Sequence, residues 1–269
     1  MKRDYRSESV KRLVAMGESN AFGMCATDPR NEWLQTVAGL IRDLQDEPLA
    51  VINNSIPANV VSPRSPGYDW LPDIGKPSAI ERYEKDLIAA QPDIAVIAYG
   101  LNDSRCGNPV ERFIEDLETV VSDTVKRTEA LVVLAGPYWN TQYNETLWES
   151  LDEKPEWATG EYKIFAQMGR ELVRSYVEAM RELSEKYGCL FVDLFSPTED
   201  CTWLLHDDQC HYNDAGQRVM GLIVFTAMAC SCSFIGRKSK RLQREGGFDT
   251  SNTGGTGGMS RMIEGWLER

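Results

Sequence analysis

Residues 93–103 read DIAVIAYGLND, and this stretch says most about the fold of the 269-residue chain. Its apolar side chains run without interruption, a pattern typical of a short strand that is buried on both faces. The Gly-Leu-Asn-Asp that follows is typical of a turn. The stretch therefore predicts an interior strand with polar side chains directly beyond its carboxyl end.

Four further apolar runs alternate with segments of helical periodicity. Strands are predicted over residues 12–16, 49–52, 130–135 and 189–195, and helices over residues 29–46, 78–90, 109–127, 161–187 and 213–235. Consecutive parallel strands need a crossover connection, usually a helix. The alternation therefore predicts an α/β fold with a five-stranded parallel sheet covered on both faces.

Reactive or aromatic side chains follow four of the predicted strands. Ser19 follows the first strand, Ser55 the second, Asn102 the third, and Tyr138 with Trp139 the fourth. Ligands of open parallel sheets bind beyond the carboxyl ends of the strands. We therefore expect a functional site at this edge of the sheet.

The chain has only two histidines, and general-base catalysis near neutral pH most often uses an imidazole. His211 lies three residues after Asp208, a spacing that lets the carboxylate accept the Nδ1 proton, although the same pattern occurs in exposed turns. The alternative pairs His206 with Asp207 or Asp208. His206 follows an apolar run, which favours a structural or substrate-lining role, so His211 is the stronger candidate base.

Two short motifs supply candidates for the other roles. Gly17 permits a tight turn that lifts Ser19 above the sheet edge as a nucleophile, although an isolated Gly-x-Ser is more often an ordinary helix N-cap. The side-chain amide of Asn102 is suited to bind a developing oxyanion, and Gly100 allows a close backbone approach, although such residues also form ordinary turns. Asp193, at the end of the fifth strand, is either a further cleft carboxylate or an ordinary loop residue.

Taken together, these motifs resemble those of the SGNH hydrolase family, also called GDSL-type esterases and lipases. The order is Gly-x-Ser at 17–19, Gly-x-Asn-Asp at 100–103 and Asp-x-x-His at 208–211, and the resemblance spans roughly residues 10–235. It implies a flavodoxin-like, three-layer α/β/α sandwich with a five-stranded parallel sheet. The residues after the histidine also resemble the family, in which a helix starts there.

The resemblance implies a role for each matching residue. Ser19 is the implied nucleophile, and His211 is the implied general base, oriented by Asp208. The backbone N–H of Ser19 and the side chain of Asn102 form the implied oxyanion hole, together with the backbone N–H of Ser55. The implied reaction is ester hydrolysis through an acyl-enzyme, which requires no cofactor.

Two residues depart from the family pattern. Glu18 stands where the family often has aspartate, a mild change because this acid is not the nucleophile. Ser55 stands where the second motif has glycine, and its N–H serves as a donor only if serine tolerates the required dihedral angles. A catalytically weakened glycan-binding module is therefore an alternative to an active enzyme.

The expected substrate is a small-molecule or carbohydrate ester. Four residues near the strand ends are predicted to contact it: Gly100, Asp103, Tyr138 and Trp139. Aromatic rings suited to stack on sugars favour a small acyl group, such as acetyl on a carbohydrate, over lipase, lysophospholipase or thioesterase substrates. Residues 136–160, which include Trp148 and Trp157, form either a lid or wall of the cleft or an insertion anchored to the core.

Composition argues against several classes of partner. The formal net charge of −12 repels nucleic acid and anionic membrane surfaces, and no apolar stretch is long enough to span a membrane. Seven cysteines, an odd number, predict reduced thiols, and the lack of a signal-peptide segment predicts a cytoplasmic protein. Neither Cys-x-x-Cys nor His-x-x-x-His occurs, so no metal is expected.

The chain divides into two predicted parts. Residues 1–236 form the hydrolase domain. Residues 237–269 start with a basic run, continue through a glycine-rich linker and end in a short amphipathic helix. Because so short a helix is marginal in isolation, we expect it either to dock on the domain or on a neighbouring subunit, the latter giving a homo-oligomer, or to fray at the terminus.

Overall fold

The computed structural model describes residues 3–70, 75–141 and 170–235. Within these ranges, five parallel strands form one sheet: β1 (Arg12–Gly17), β2 (Ala50–Asn53), β3 (Ile94–Ala98), β4 (Leu131–Ala135) and β5 (Leu190–Val192). Their order across the sheet is β2-β1-β3-β4-β5. The stretch at 93–103 therefore supplies the central strand, and the predicted five-stranded parallel sheet is confirmed.

Helices cover both faces of the sheet. They are α1 (Ser19–Phe22), α2 (Trp33–Asp43), α3 (Ala79–Tyr83), α4 (Leu101–Arg105), α5 (Val110–Arg127), α6 (Arg170–Tyr187) and α7 (Asp214–Ala229), and α3 continues as a π-helical turn over Glu84–Ile88. Helices α2 and α7 pack together on one face, and α5 and α6 pack together on the other. The result is the three-layer α/β/α sandwich that the resemblance implied.

Side chains along β3 explain why both faces are covered. Ile94 and Val96 belong to the apolar cluster with α2 and α7, whereas Ala95 and Ile97 belong to the cluster with α5. Successive side chains of a strand point to opposite faces, so an uninterrupted apolar run needs cover on both. All five residues of β3 are buried.

Differences from the predicted elements lie at their ends. Strand β5 ends at Val192 rather than at residue 195, because Asp193 accepts hydrogen bonds from the backbone N–H groups of Phe195 and Ser196 and starts a turn. Asp193 is therefore a turn residue, and the expectation of a cleft carboxylate there was wrong. Helix α7 ends at Ala229, short of the predicted end at residue 235.

Strand register brings the ends of β1, β3 and β4 to one edge. Gly17 pairs with Ala98, which pairs in turn with Ala135. A Cβ at Gly17 would lie only 2.5 Å from the carbonyl oxygen of Ala98, so this close approach requires glycine. The segments that begin with Ser19 and with Asn102 consequently leave the sheet side by side.

Three predictions concern residues outside the described ranges. They are the aromatic connection with Trp148 and Trp157, the first part of the helix predicted over 161–187, and the segment 237–269. These stay predictions. Among the described helices, none is both long and apolar enough to cross a membrane.

Candidate active site

Ser19 is the first residue of α1, directly beyond the end of β1. The preceding residue, Glu18, has an extended backbone with φ −106° and ψ −160°. Helix α1 ends after a single turn at Gly23, whose φ of 95° is in the left-handed region that favours glycine. This strand, turn and short helix hold Ser19 at the sheet edge.

His211 connects Ser19 to Asp208. Its Nε2 atom lies 2.9 Å from Ser19 Oγ, and its Nδ1 atom lies 2.5 Å from Asp208 Oδ2. The other carboxylate oxygen, Oδ1, accepts the backbone N–H groups of Cys210 and His211. With Nδ1–H donated to the carboxylate, the neutral imidazole presents an unprotonated Nε2 to the serine hydroxyl.

These hydrogen bonds keep Asp208 ionised. Burial opposes the charged form, but the bonds from the His211 ring and from two backbone N–H groups outweigh it and hold the pKa of Asp208 below its usual range. An ionised carboxylate here stabilises the imidazolium that forms when His211 takes up a proton.

An antiparallel bridge fixes the loop on which Asp208 and His211 lie. The two sides of the loop meet at Leu205 and Tyr212. Asn213 caps the N-terminus of α7, and its side-chain amide donates to the carbonyl of Leu205 over 2.9 Å. The loop is thereby anchored to the start of a long helix.

Asn20 ties the nucleophile to this loop, and no sequence motif points to it. Its side-chain oxygen accepts the backbone N–H of Tyr212 over 3.2 Å and the side-chain amide of Gln217 over 3.1 Å. Asn20 follows Ser19 directly, and Tyr212 follows His211 directly. The contact therefore fixes the spacing of the two reactive side chains.

Glu18 braces the turn beneath the site. Its two carboxylate oxygens accept the backbone N–H groups of Leu101 and Asn102, over 2.7 and 2.8 Å. The residue before the nucleophile is thus bonded to the turn that carries Asn102. Burial raises the pKa of Glu18 to about 8 despite these bonds, and the nearby charge of Asp103 adds to the rise.

The predicted oxyanion donors lie opposite the histidine loop. Asn102 Nδ2 donates one hydrogen to the carbonyl of Asn59 over 3.0 Å, which orients the amide and leaves its second hydrogen for another acceptor. The backbone N–H of Ser55 donates to Asn53 Oδ1 over 3.1 Å, so its single hydrogen is already engaged. Ser55 is not among the described residues with positive φ, and serine therefore tolerates this backbone.

A pocket of about 770 Å³ opens beside Ser19. Polar residues on its wall are Ser19, Ser55, Asn102, Arg105 and His211, and the other lining residues are Phe22, Met24, Ile56, Pro57 and Ala58. Phe22 and Met24 are 46% and 40% exposed, which is high for large apolar side chains. Apolar surface beside a polar reaction centre suits a ligand with an aliphatic group.

Residues 15–219 match the sequence model of the GDSL-like Lipase/Acylhydrolase family. The chain belongs to this family. The match includes all three motifs, and the family resemblance seen in the sequence is confirmed. As a GDSL-like hydrolase, the protein acts on esters. No protein with a curated description is significantly similar to it in sequence.

Solved structures share the fold at low sequence identity. TesA matches with a TM-score of 0.60 and 14% identity, over 81% of this chain and 98% of its own. A lipase/acylhydrolase from Enterococcus faecalis matches with a TM-score of 0.57 and 17% identity, over 84% and 96%. Axe2, an acetylxylan esterase from Geobacillus stearothermophilus, matches with a TM-score of 0.54 and 19% identity, over 88% and 97%. Likeness at these identities shows the fold alone.

Asp103 and Gly100 were expected to contact substrate, but in this GDSL-like hydrolase they have structural roles instead. Asp103 is fully buried and accepts the backbone N–H of Val61 and the side-chain amide of Asn108. Gly100 has φ of 124°, and a Cβ there would meet the ring of Phe113 at 3.4 Å. Neither residue lines the pocket, because the turn after β3 packs them into the protein interior.

The aromatic pair after β4 is also part of the core. Tyr138 and Trp139 are 3% and 2% exposed and do not line the pocket, so the expectation that they stack on a sugar there was wrong. The ring of Tyr138 packs on the ring of Tyr212, with centroids 4.7 Å apart. Tyr138 therefore supports the loop that carries His211.

His206 and Asp207, the alternative base and acid, are exposed and lie outside the pocket. His206 Nδ1 accepts the backbone N–H of Asp208 over 3.4 Å. Of the two histidines, it is His211 that contacts Ser19.

The apolar wall of the pocket is the part that the sequence motifs do not mark. Phe22 lies three residues after the nucleophile, and Ile56 directly follows Ser55. Both positions therefore come soon after a strand end, as the motif residues do. This proximity is the only sequence feature that points to them.

Proposed function

We propose that the protein is a serine ester hydrolase that works through an acyl-enzyme on Ser19. The observation that supports this most is the unbroken series of contacts from Ser19 Oγ through the His211 ring to Asp208. A serine hydroxyl is a weak nucleophile unless an adjacent base removes its proton. The contacts supply such a base in the tautomer that the reaction needs.

The reaction proceeds in two halves. Ser19 Oγ attacks the ester carbonyl carbon while His211 Nε2 accepts the hydroxyl proton. The imidazolium, stabilised by Asp208, protonates the leaving alcohol, and the acyl-enzyme remains. Water then attacks the acyl carbon and gives a proton to His211, which returns it to Ser19 Oγ as the carboxylic acid departs.

Asn102 and the backbone N–H of Ser19 are the proposed main donors to the oxyanion. The Asn102 amide is held by the Asn59 carbonyl, so it needs no reorganisation as negative charge develops. Ser55 is the weaker donor, because an incoming oxygen has to share or replace its bond to Asn53.

For the substrate, we propose an ester with an aliphatic acyl group lying against Phe22, Met24 and Ile56. These side chains are apolar and directly accessible from Ser19. Each buried methylene group contributes about 0.8 kcal/mol, so kcat/KM rises roughly fourfold per added carbon until the wall is covered.

An acetyl group on a carbohydrate is the second candidate. The shared fold of Axe2, an acetylxylan esterase, favours it. Of the aromatic side chains that a sugar ring was expected to use, Tyr138 and Trp139 are buried, whereas Trp148 and Trp157 lie outside the described residues. We therefore rank the acetylated carbohydrate below the aliphatic ester.

A series of p-nitrophenyl esters from acetate to octanoate tests both proposals. We expect wild type to hydrolyse them with kcat/KM rising with chain length, and Ser19→Ala to lose at least about 10⁴-fold in kcat. Equal rates for the two proteins would remove Ser19 from the mechanism. Highest activity on acetate would favour the carbohydrate acetylesterase.

A fluorophosphonate probe addresses the remaining alternative, a glycan-binding module without catalysis. Such probes react with serines that an adjacent base activates. We expect labelling of wild type and none of Ser19→Ala or His211→Ala. Wild type that binds oligosaccharides yet resists the probe would support the binding module.

A further inference from the structure

Cys25 and His206 converge on Asp208, and neither takes part in the proposed reaction. Cys25 Sγ lies 3.7 Å from Asp208 Oδ2. The cysteine sulfur, a histidine ring nitrogen and a carboxylate oxygen of the three residues all lie within 4.8 Å of one another. Sulfur, imidazole nitrogen and carboxylate oxygen are the ligand types that zinc prefers in proteins.

The three residues come from two different parts of the chain. Cys25 follows helix α1 in a turn and has φ of 66°. His206 and Asp208 lie on the bridged loop between Leu205 and Tyr212. His206 and Asp208 are exposed and Cys25 is half-buried, so an ion reaches this cluster directly from solvent.

We propose that Cys25, His206 and Asp208 form a binding site for Zn²⁺ that inhibits the enzyme. They supply three ligands of a tetrahedral ion, and water takes the fourth position. Ligand atoms at zinc bonding distances lie roughly 3.3–3.8 Å apart, so the 3.7 Å between Cys25 Sγ and Asp208 Oδ2 already fits, and no pair has to close by more than about 1.5 Å. Binding releases the thiol proton of Cys25 to solvent.

Inhibition follows from the position of one oxygen atom. Asp208 Oδ2 lies 2.5 Å from His211 Nδ1 and is also the atom that contacts Cys25 Sγ. A zinc ion on this oxygen competes with the imidazole for its lone pairs and neutralises the charge that stabilises the imidazolium. This consequence rests on the proposed function, whereas the binding of zinc does not.

The test measures zinc binding by calorimetry and ester turnover on the same preparations of the full chain, titrated with Zn²⁺ alone. We expect zinc to bind and inhibit wild type, and its affinity and inhibitory potency to fall at least about tenfold in Cys25→Ser and in His206→Gln. Both variants are expected to keep the metal-free activity. Mg²⁺, which prefers six oxygen ligands, is expected to leave wild type active.

Cys230→Ser is the matched control, because Cys230 is an exposed cysteine after α7. We expect it to behave as wild type. Equal zinc affinity in wild type, Cys25→Ser and His206→Gln would overturn the site, and zinc binding through these residues without loss of turnover would overturn the inhibition. If wild type shows no ester turnover at all, the proposed function fails, and calorimetry still decides whether the metal site exists.

Discussion

The two sides of the pocket differ in how far they are assembled. On one side, hydrogen bonds of 2.9 and 2.5 Å already join Ser19, His211 and Asp208. On the other side, the side-chain amide of Asn102 donates one of its two hydrogens to the carbonyl of Asn59, and the backbone N–H of Ser55 donates to the side chain of Asn53.

The difference follows from how the chain reaches each side. Asp208 and His211 lie three residues apart in one turn, so local structure orients the acid and the base together. Ser55 and Asn102 come from the ends of separate strands, and each depends on a different asparagine for its orientation. Disrupting the locally built side is therefore expected to cost more activity than disrupting the opposite side.

Asp208→Asn is the strongest way to break the first side. The asparagine amide does not stabilise a proton on His211 Nδ1 as the carboxylate does. His211 is therefore expected to carry its proton on Nε2, where it cannot accept the proton of Ser19. We expect kcat to fall by about 10⁴-fold with little change in KM. Steady-state kinetics on a short-chain ester measure this.

Asp207→Asn is the matched control, since it removes the same charge from the adjacent, exposed residue. We expect its kcat to stay close to that of wild type. Similar losses in the two variants would mean that the net charge of the loop, rather than the contact with His211, supports the activity.

Asn102→Ala is the corresponding change on the second side. Loss of one oxyanion donor costs about 10²- to 10³-fold in kcat, which is less than the expected loss at Asp208. Ser55→Gly keeps the backbone N–H and is expected to change kcat by less than about tenfold. A larger loss for Ser55→Gly than for Asn102→Ala would mean that the Ser55 side chain, and not only its backbone N–H, supports the activity.

Much of the fold was predictable because the apolar pattern has a direct structural cause. The run at 94–98 has no polar side chain to face solvent, so it requires a strand between two helical layers. The end of β5 was less predictable. There the turn depends on hydrogen bonds from Phe195 and Ser196 to Asp193, which the residue types alone do not specify.

The candidate site was predictable where residues act at fixed spacing and less so elsewhere. Asp208 and His211 share a turn, so their spacing in sequence nearly determines their contact. Tyr138 illustrates the opposite case. Its position after β4 placed it at the correct edge, but only packing against Tyr212 decides that the ring points into the core.

Glu18 connects the two sides of the pocket, and its substitution tests whether they depend on each other. The carboxylate precedes Ser19 and accepts the N–H groups of Leu101 and Asn102. Glu18→Gln keeps the size and shape of the side chain while it removes the charge and one acceptor. The lost acceptor affects the variant at every pH, so the pH dependence of its difference from wild type isolates the ionisation of one buried group.

The difference in the free energy of unfolding between Glu18→Gln and wild type should depend on pH, and the burial of Glu18 sets the direction. Because burial raises the pKa of Glu18 from its ordinary value of 4.5 to about 8, the folded protein keeps a proton that the unfolded chain releases between these pH values. The contribution of this group to the free energy of unfolding is therefore fully present below about pH 4.5 and falls as pH rises to about 8, by up to about 1.4 kcal/mol per pH unit.

The variant Glu18→Gln lacks this titration. Urea unfolding at several pH values should therefore show that the free energy of unfolding of the variant rises relative to that of wild type as pH approaches about 8. Asp103, whose pKa burial raises to about 6, and Arg105 are present in both proteins, so their effects largely cancel in the difference. A difference that stays constant with pH would mean that the two N–H bonds outweigh burial and keep Glu18 ionised throughout.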